Sequence, residues 1–414
     1  MKEEIRTHLN DPVYLERLYR TNKAFFKQEF SSIYPEIKGS TLADFWNERL
    51  HYESDDIQWG TGRDLLFIVL ASLVAGLVAK IPHIFLVNED FFYPRNVGFI
   101  VFPPLLAYFV WKNALPISKI VFIAGTSFIG LIFINFFPAN EESDTLILSC
   151  IHLLLLLWSV LGFAYVGEMK NNHEKRLNYL KYNGDLIVMT TLILIAGAVT
   201  TAMTIGLFSI IGYDIKDFYF ENIVVFGLPA VPIVGTYLTQ TNPHLVGKVS
   251  SVIARIFSPL VLGMLLIYLI AMIFSGGDPY DDREFLLMFN ALLIGVMAII
   301  FFSVAETTRN MKSQTEILVL FLLSVVTIII NIIALSAILF RITEWGITPN
   351  RAAVLGGNVL ILINLLWVTL QLFRVLSKNE DINKVGKAIA LYLPLYFLWT
   401  IIVTFIFPLA FGFE

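Results

Sequence analysis

The residue types best suited to ligand chemistry lie in one short segment, Arg341–Arg351, with the sequence R-I-T-E-W-G-I-T-P-N-R. Its two terminal arginines and Glu344 are the charged groups. Guanidinium groups bind phosphate and carboxylate oxygens through paired hydrogen bonds. Gly346 and Pro349 favour a turn that brings the arginines to one place. The segment therefore predicts either an anion or lipid head-group site at the outer membrane surface, or a rigid hairpin held by an internal Arg–Glu pair.

Uncharged polar side chains inside apolar runs are the second group that could carry function. A histidine within a membrane can relay a proton or bind a ligand, or remain neutral and bonded to a neighbouring helix. Amides within a membrane join helices more often than they bind ligands. No Asp, Glu or Lys falls near the centre of an apolar run, which disfavours a proton-driven pump. The candidate lining residues are His152, Asn290, Asn331, Asn364 and Gln371.

Two proline-containing stretches interrupt apolar runs. Pro103 and Pro104 lie in F-P-P-L, and Gly227, Pro229 and Pro232 lie in G-L-P-A-V-P. Proline removes a backbone donor and clashes with the preceding turn. Broken helices line substrate sites in many transporters, although proline kinks also occur where nothing binds. We predict a broken or strongly kinked helix at both stretches.

No catalytic or cofactor motif is present. The sequence lacks H-E-x-x-H, G-x-S-x-G, G-x-G-x-x-G and the Walker A pattern. Its single cysteine, Cys150, and six scattered histidines predict no metal site and no cofactor. A net charge of −4 argues against nucleic acid as a partner. The interpretation favours a protein that is not an enzyme.

The elements that must position these residues are membrane-spanning helices. The chain of 414 residues is 57% hydrophobic and 15% charged, against roughly 45–50% and 25% in soluble domains. Its apolar runs match the ~20 residues that cross a hydrocarbon core. We predict an all-α polytopic bundle of eleven spans, with the second and sixth short. The predicted spans are 65–87, 97–111, 118–137, 145–167, 186–212, 222–240, 252–274, 285–305, 317–340, 352–373 and 388–411.

A separate segment, residues 1–63, precedes the membrane domain of residues 64–414. The interspersed apolar and charged residues of 11–30 predict an amphipathic helix. A second helix is predicted from Thr41, with Asp44 completing a capping box. The segment could lie on the membrane or pack against cytoplasmic loops. Packing is favoured, because the segment is more acidic than basic and anionic lipid would repel it.

The distribution of basic residues predicts the orientation. Connections on the side of the N-terminus carry 14 Lys and Arg, and those on the opposite side carry 6. Basic residues are retained on the cytoplasmic side. We therefore expect the N-terminus to be cytoplasmic and the C-terminus to be outside.

The segment Arg341–Arg351 also carries a family resemblance. R-I-x-E-W-G-I-T-P-N-R, with apolar spans on both sides, resembles the signature of an uncharacterised bacterial membrane family, domain of unknown function 4153. Outside this segment the resemblance rests on hydropathy. It implies a multi-pass protein of a bacterial inner membrane, and it brings no established activity and no assigned residues.

Three functional classes remain open. The first is a permease or flippase-like transporter of a small amphipathic or lipid-linked cargo, favoured by the interrupted spans and the neutral polar interior. The second is a non-catalytic envelope or signalling component. The third is an integral-membrane transferase with Glu344 or the acidic outer loops as its base. Membrane lipids are the expected partners in each case.

Overall fold

The computed structural model describes residues 2–21, 23–51, 60–138, 143–167, 172–210, 213–243, 246–247, 249, 258–267, 269–270, 283–307, 314–378 and 380–414. The chain is all-helical, and no strand occurs in this described part. It divides into two compact units, Met1–Ile57 and Gln58–Glu414. The first unit ends a few residues before the predicted boundary at residue 63.

The N-terminal unit contains four short helices: α1 (Lys2–Thr7), α2 (Pro12–Thr21), α3 (Lys23–Ile37) and α4 (Thr41–His51). The predicted single helix over 11–30 is thus two helices. Glu16 of α2 binds Arg20 and also Arg49 of α4, both at 2.8 Å. The hydrogen bond from Arg20, the largest cause, lowers the pKa of Glu16 below its usual value. The buried core comprises Ile5, Leu15, Phe26, Phe30, Ile33, Ala43, Trp46 and Leu50.

The capping box forms at a different Thr-x-x-Asp sequence from the predicted one. Helix α4 begins at Thr41 as expected, but Asp44 accepts hydrogen bonds from the Tyr34 hydroxyl and the Gly39 N–H. At the start of α5 (Gly62–Ala79), the Asp64 N–H donates to Thr61 Oγ1 and the Thr61 N–H donates to Asp64 Oδ2. This reciprocal pair satisfies two amide groups at the start of the membrane unit.

The first half of the membrane unit is built from six further elements after α5. Four long helices in succession, α7 to α10, are flanked by the short helices α6 and α11. In chain order they are α6 (Ile81–Phe85), α7 (Glu89–Lys112), α8 (Ile117–Asn135), α9 (Asp144–Val166), α10 (His173–Ile210) and α11 (Lys216–Tyr219).

The second half opens with a π-helical turn and contains another just before its last short helix. The elements are the π-turn Phe220–Val224, α12 (Val225–Thr241), α13 (Ser258–Ile267), α14 (Arg283–Thr307), α15 (Gln314–Trp345), α16 (Pro349–Lys378), α17 (Asn383–Ile401), the π-turn Ile402–Ile406 and α18 (Phe407–Ala410).

Eight helical segments in the described part are long and apolar enough to cross a membrane. Each of the eleven predicted spans coincides with helical residues, but the count of eleven remains a prediction. The second span lies in α7, where three prolines and the polar pair Arg95–Asn96 reduce the mean hydropathy. The seventh and eighth lie at α13 and α14, where the described apolar helices, Ser258–Ile267 and Phe289–Ala305, have at most 17 residues.

Successive helices of the first half run in opposite directions. At one end of the bundle, Lys112 at the end of α7 lies 3.5 Å from Asp64 at the start of α5. At the other end, the Thr145 N–H in the first turn of α9 donates to the Glu414 carbonyl at 2.9 Å. We call these the proximal end, where α5 begins, and the distal end. The alternation places the starts of α5, α8 and α10 together with the ends of α7, α9 and α12.

Candidate functional site

The hairpin arginines converge on one aromatic ring. The Cζ atoms of Arg341 and Arg351 lie 5.5 and 5.7 Å from the centroid of the Trp345 ring. Arg351 Nη1 donates to the carbonyls of Trp345 at 3.0 Å and Gly346 at 2.7 Å, where α15 ends. Gly346 has a φ of +76°, which a glycine adopts without strain. The predicted juxtaposition of the two arginines is therefore present.

Glu344 does not take part in this arrangement. Its side chain is exposed, and it forms no ion pair with either arginine in the described structure. The predicted internal Arg–Glu pair is wrong, because Trp345, one residue further along the helix, is the group that both guanidiniums contact. The segment is a capped hairpin with a cationic, aromatic surface.

The intramembrane amides join helices. Asn358 Nδ2 donates to Asn290 Oδ1 at 2.8 Å, and Asn331 Nδ2 donates to the Asn358 carbonyl at 3.2 Å, which links α14, α15 and α16. Asn364 donates to the Tyr396 hydroxyl at 3.1 Å. Gln371 is half-buried on α16, two turns beyond Asn364. These bonds favour the interpretation of the amides as interhelical contacts.

His152 is satisfied by its own helix. Its Nδ1 lies 2.9 Å from the Leu148 carbonyl, one turn earlier in α9, and its ring is half-buried. The expected bond to a neighbouring helix is not the one observed. No group of three or more His, Cys, Asp or Glu residues in the described part could hold a metal ion.

The two proline stretches lie inside continuous helices, so the predicted helix breaks are wrong, while a kink at either stretch remains a prediction. Pro103 and Pro104 lie within α7, and Pro229 and Pro232 lie within α12. An interior proline costs ~3 kcal/mol, and packing outweighs that cost here. Buried residues flank the first pair on both sides, and Pro229 is itself buried. A π-helical turn precedes α12, which is a local adjustment that tolerates prolines in membrane helices. Gly227 also lies within α12.

The interior carries charged residues that sequence reasoning missed. Lys181 and Asp185 form an ion pair of 3.3 Å on α10, with side chains 12% and 8% exposed. The predicted fifth span began at residue 186, whereas α10 begins at His173 and carries this pair into the bundle. The pair lies in the proximal turns of α10, so it does not test the expectation that no Asp, Glu or Lys lies near the centre of a span.

Arg95 is a second buried charge, near the distal end of α7. Its Nη1 donates to the Phe91 carbonyl at 3.2 Å, and its Cζ lies 4.1 Å from the Phe91 ring centroid. Its Nε and Nη2 atoms are buried without a hydrogen-bond partner in the described structure. The predicted second span began at residue 97 and so left Arg95 in a loop.

A basic cavity opens at the proximal end. It has a volume of about 490 Å³ and lies between the ends of α7, α9 and α12 and the starts of α8 and α10. Three lysines contribute to its lining, together with three amides. We call it the lysine pocket; it is lined by Phe109, Lys112, Asn113, Leu115, Pro116, Lys119, Tyr165, Val166, Gly167, Lys175, Asn178 and Gln240.

A lateral apolar groove lies between α10 and α12 towards the distal end. Its volume is about 880 Å³. Thr200 donates its hydroxyl to the Ala196 carbonyl at 2.8 Å, which satisfies that polar atom within the helix. The α10/α12 groove is lined by Ile193, Leu194, Gly197, Ala198, Thr200, Thr201, Ala202, Ile205, Tyr219, Phe220, Ile223, Val224, Gly227, Leu228 and Val231.

A closed seam between α10 and α12 separates the two cavities. Tyr182 and Thr236 share a hydrogen bond of 2.8 Å. A Cβ atom on Gly235 would lie 3.0 Å from Thr190 Cγ2 and 3.1 Å from Leu186 Cδ1. The helices therefore touch where one of them has no side chain.

Helix α10 connects all three features. Asn178 lines the lysine pocket, Tyr182, Leu186 and Thr190 form the seam, and Leu194 lines the groove. These residues follow each other at intervals of four, so neighbouring members lie side by side and the series winds around the helix by ~40° per step. The interval is visible in the sequence, but the partner helix and the cavities are not.

Comparisons with family models, with curated proteins and with solved structures found no match. The assignment of function therefore rests on the geometry of the bundle.

Proposed function

We propose that this chain is a permease or flippase-like transporter of an amphipathic or lipid-linked molecule. The observation that carries the proposal is that the single helix α10 lines a basic pocket at one end and an apolar groove at the other. An amphipathic molecule has a matching division between a polar head and an apolar tail. The proposal places the protein in a bacterial inner membrane, with its proximal end in the cytoplasm and as a relative of the uncharacterised family.

The proposed path follows the seam. The cargo head would start in the lysine pocket while its tail remains in the bilayer. Separation of α10 from α12 would then let the head pass Tyr182 and Gly235 towards the lateral groove. Side chains of α10 from 187 to 206 are half-buried or exposed wherever they are described, so this half of the helix has few packing contacts to break.

A disulfide across the seam tests this path. In a background with Cys150 replaced by serine, Thr190→Cys and Gly235→Cys place the two Cβ atoms within about 4.5 Å, which a disulfide can bridge. The purified protein would be reconstituted into vesicles containing NBD-labelled phosphatidylglycerol or phosphatidylcholine. Dithionite bleaching then measures translocation. Oxidation should stop translocation, and reduction should restore it.

The two single-cysteine variants serve as controls, because they carry the same substitutions without the cross-link. Translocation that continues at the same rate after complete cross-linking would show that the seam is not the path. Failure of the unlocked protein to move either lipid faster than empty vesicles would contradict the transport proposal. That outcome would leave a non-catalytic membrane component or an outer-face transferase as the function.

A further inference from the structure

The lysine pocket has an excess of positive charge. Its lining includes three ammonium groups and no carboxylate. Asp64 approaches one of them, Lys112, at 3.5 Å. Lys119 donates to the Gly167 carbonyl, just after the last turn of α9. Lys175 is exposed and forms no ion pair in the described part of the chain. Among the described residues, one nearby carboxylate against three lysines leaves about two positive charges for a ligand to neutralise.

The polar groups of the pocket can bind oxygen atoms as well as charge. Asn178 and Gln240 reach it from α10 and α12. The third amide, Asn113, is already engaged with the carbonyls of Ala164 and Tyr165 at 3.0 and 3.1 Å. Those bonds hold the ends of α7 and α9 together, so the pocket wall is fixed by the fold. Lysines and amides in a concave site suit a phosphate group.

An apolar groove of about 140 Å³ adjoins the lysine pocket, and Val166 lines both. Phe122, which lies in this groove, follows Lys119 by three residues on the same face of α8. The Phe122 and Phe163 rings pack edge to face at 5.2 Å. The groove is lined by Phe122, Trp158, Ser159, Val160, Gly162, Phe163, Val166, Arg176, Tyr179, Leu393, Pro394 and Phe397.

The order of these two cavities matches one class of ligand. The lysines lie at the bundle end, and the aromatic groove begins one helical turn further into a helix that is apolar enough to span a membrane. A lipid has its charged head at the membrane surface. Its acyl chains extend from there into the bilayer, in the direction in which the groove follows the lysines. Basic pockets between spanning helices commonly bind anionic lipid head groups.

We propose that the lysine pocket and the adjoining groove form a binding site for a phosphate-bearing lipid. The phosphate lies among Lys112, Lys119 and Lys175, and one acyl chain lies against Phe122 and Phe163. This inference rests on the proposed function, which it deepens by naming the chemistry of the head group. It concerns binding alone, so it is tested without any transport measurement.

Binding is measured by native mass spectrometry of the full chain in detergent, titrated with dioleoyl-phosphatidic acid. Dioleoylglycerol has the same chains without the phosphate and should bind at least tenfold more weakly. The variant in which Lys112, Lys119 and Lys175 are all glutamine should lose at least tenfold in affinity for phosphatidic acid. Lys384→Gln is the matched control, since this lysine lies outside the pocket and pairs with Glu380.

Lys175→Gln alone covers the case in which the triple variant fails to fold, because this side chain forms no hydrogen bond in the described structure. It should weaken phosphatidic acid binding several-fold at an unchanged melting temperature. Equal binding of phosphatidic acid to the parent and to Lys175→Gln would overturn the proposal. Equal binding of dioleoylglycerol and phosphatidic acid to the parent would do so as well.

Ser159→Phe separates a lipid from a free phosphate as the ligand. Ser159 bonds only to the Leu155 carbonyl of its own helix, and a phenylalanine there would fill the groove. The variant should weaken phosphatidic acid binding and leave the affinity for inorganic phosphate unchanged. An unaffected lipid affinity would show that the pocket takes phosphate without a tail. If phosphatidic acid binds as proposed but the seam disulfide leaves translocation unchanged, the transport path is contradicted and the lipid site is not.

Discussion

Arg351 has a structural role that its position in the sequence does not reveal. Its guanidinium donates to the last carbonyls of α15, at the helix end that carries a partial negative charge. Trp345 then lies within cation–π distance of both arginines. These contacts are sufficient to explain a rigid turn. Head-group binding by this hairpin remains a prediction that the contacts neither require nor prevent.

Removing Arg351 should therefore destabilise the protein. Arg351→Ala leaves the carbonyls of Trp345 and Gly346 without their charged donor, and hydrogen bonds of this kind contribute about 1.5–3 kcal/mol. The melting temperature of the solubilised chain should fall. Glu344→Gln, on an exposed side chain, should leave it unchanged. Equal melting temperatures for the two variants would assign Arg351 a role other than capping.

The residue types of the hairpin could be predicted from the sequence, but their pairing could not. Arg341 and Glu344 are three apart on a helix, which is a favourable spacing for an ion pair. The guanidinium instead contacts the Trp345 ring, since an aromatic face competes well for a weakly hydrated cation. The lysine pocket was missed for a different reason. Its three lysines come from two separate connections, α7–α8 and α9–α10, and only the alternation of the helices brings them together.

Among the helices, α16 and α17 make an unusually close contact. A Cβ atom on Gly356 would lie 2.0–2.8 Å from three atoms of the Trp399 ring. Gly357, the next residue, would meet the same indole only at 3.9 Å, an ordinary contact distance. Gly356, near the start of the tenth predicted span, thus permits close helix packing.

This pair gives a matched test of packing. Gly356→Ala should destabilise the bundle by about 1–3 kcal/mol, the usual cost of overpacking. Gly357→Ala should be neutral or stabilising, because alanine is the better helix former by ~1 kcal/mol. Denaturation in mixed micelles would measure both. A loss of stability with Gly357→Ala and none with Gly356→Ala would contradict the observed helix register.

The N-terminal helices depend on a small aromatic core. Trp46 is 2% exposed, whereas its neighbour Phe45 is 58% exposed. Trp46→Ala should cost about 3–5 kcal/mol, which is enough to unfold a unit of 57 residues. Limited proteolysis of the full chain should then cleave within the first 57 residues and spare the bundle. Phe45→Ala should resist cleavage as the parent does.

The sequence predicted the existence of most helices but not all of their boundaries. Charged residues were taken as the limits of spans. That assumption holds when a charged side chain has no partner of opposite charge and must therefore face water. Lys181 and Asp185 neutralise each other at a spacing of four within α10, so the helix continues through them. Proline was taken as a helix breaker, and packing around Pro103 and Pro229 outweighed that tendency. Both errors arise from tertiary contacts.

For the whole molecule, the direction of the helices can be combined with the distribution of charge. The proximal end collects Lys112, Lys119 and Lys175 in one cavity, and these lysines are among the basic residues from which a cytoplasmic location of this end is predicted. Helix α10 has 38 residues, or ~57 Å, which exceeds a hydrocarbon core of ~30 Å. Its charged proximal turns are thus expected to extend beyond the bilayer core.

Orientation can be measured with cysteines placed at the two ends. In a background without Cys150, Glu89→Cys lies at the exposed start of α7 and Glu174→Cys at the exposed start of α10. A membrane-impermeant thiol reagent applied to intact cells should label position 89 and spare position 174. After lysis both should react. Labelling of 174 but not 89 in intact cells would invert the topology.

The two π-helical turns bear on which insertions and deletions the chain can tolerate. A π-turn holds one residue more than an α-turn, so deleting a residue from it can restore a regular helix. The helical phase on one side then rotates by ~100°. At Phe220–Val224 that rotation falls on the short exposed helix α11, whereas at Ile402–Ile406 it falls on the buried Phe407 and Pro408. Deletion scanning should find the first site permissive and the second intolerant, when scored by abundance in the membrane.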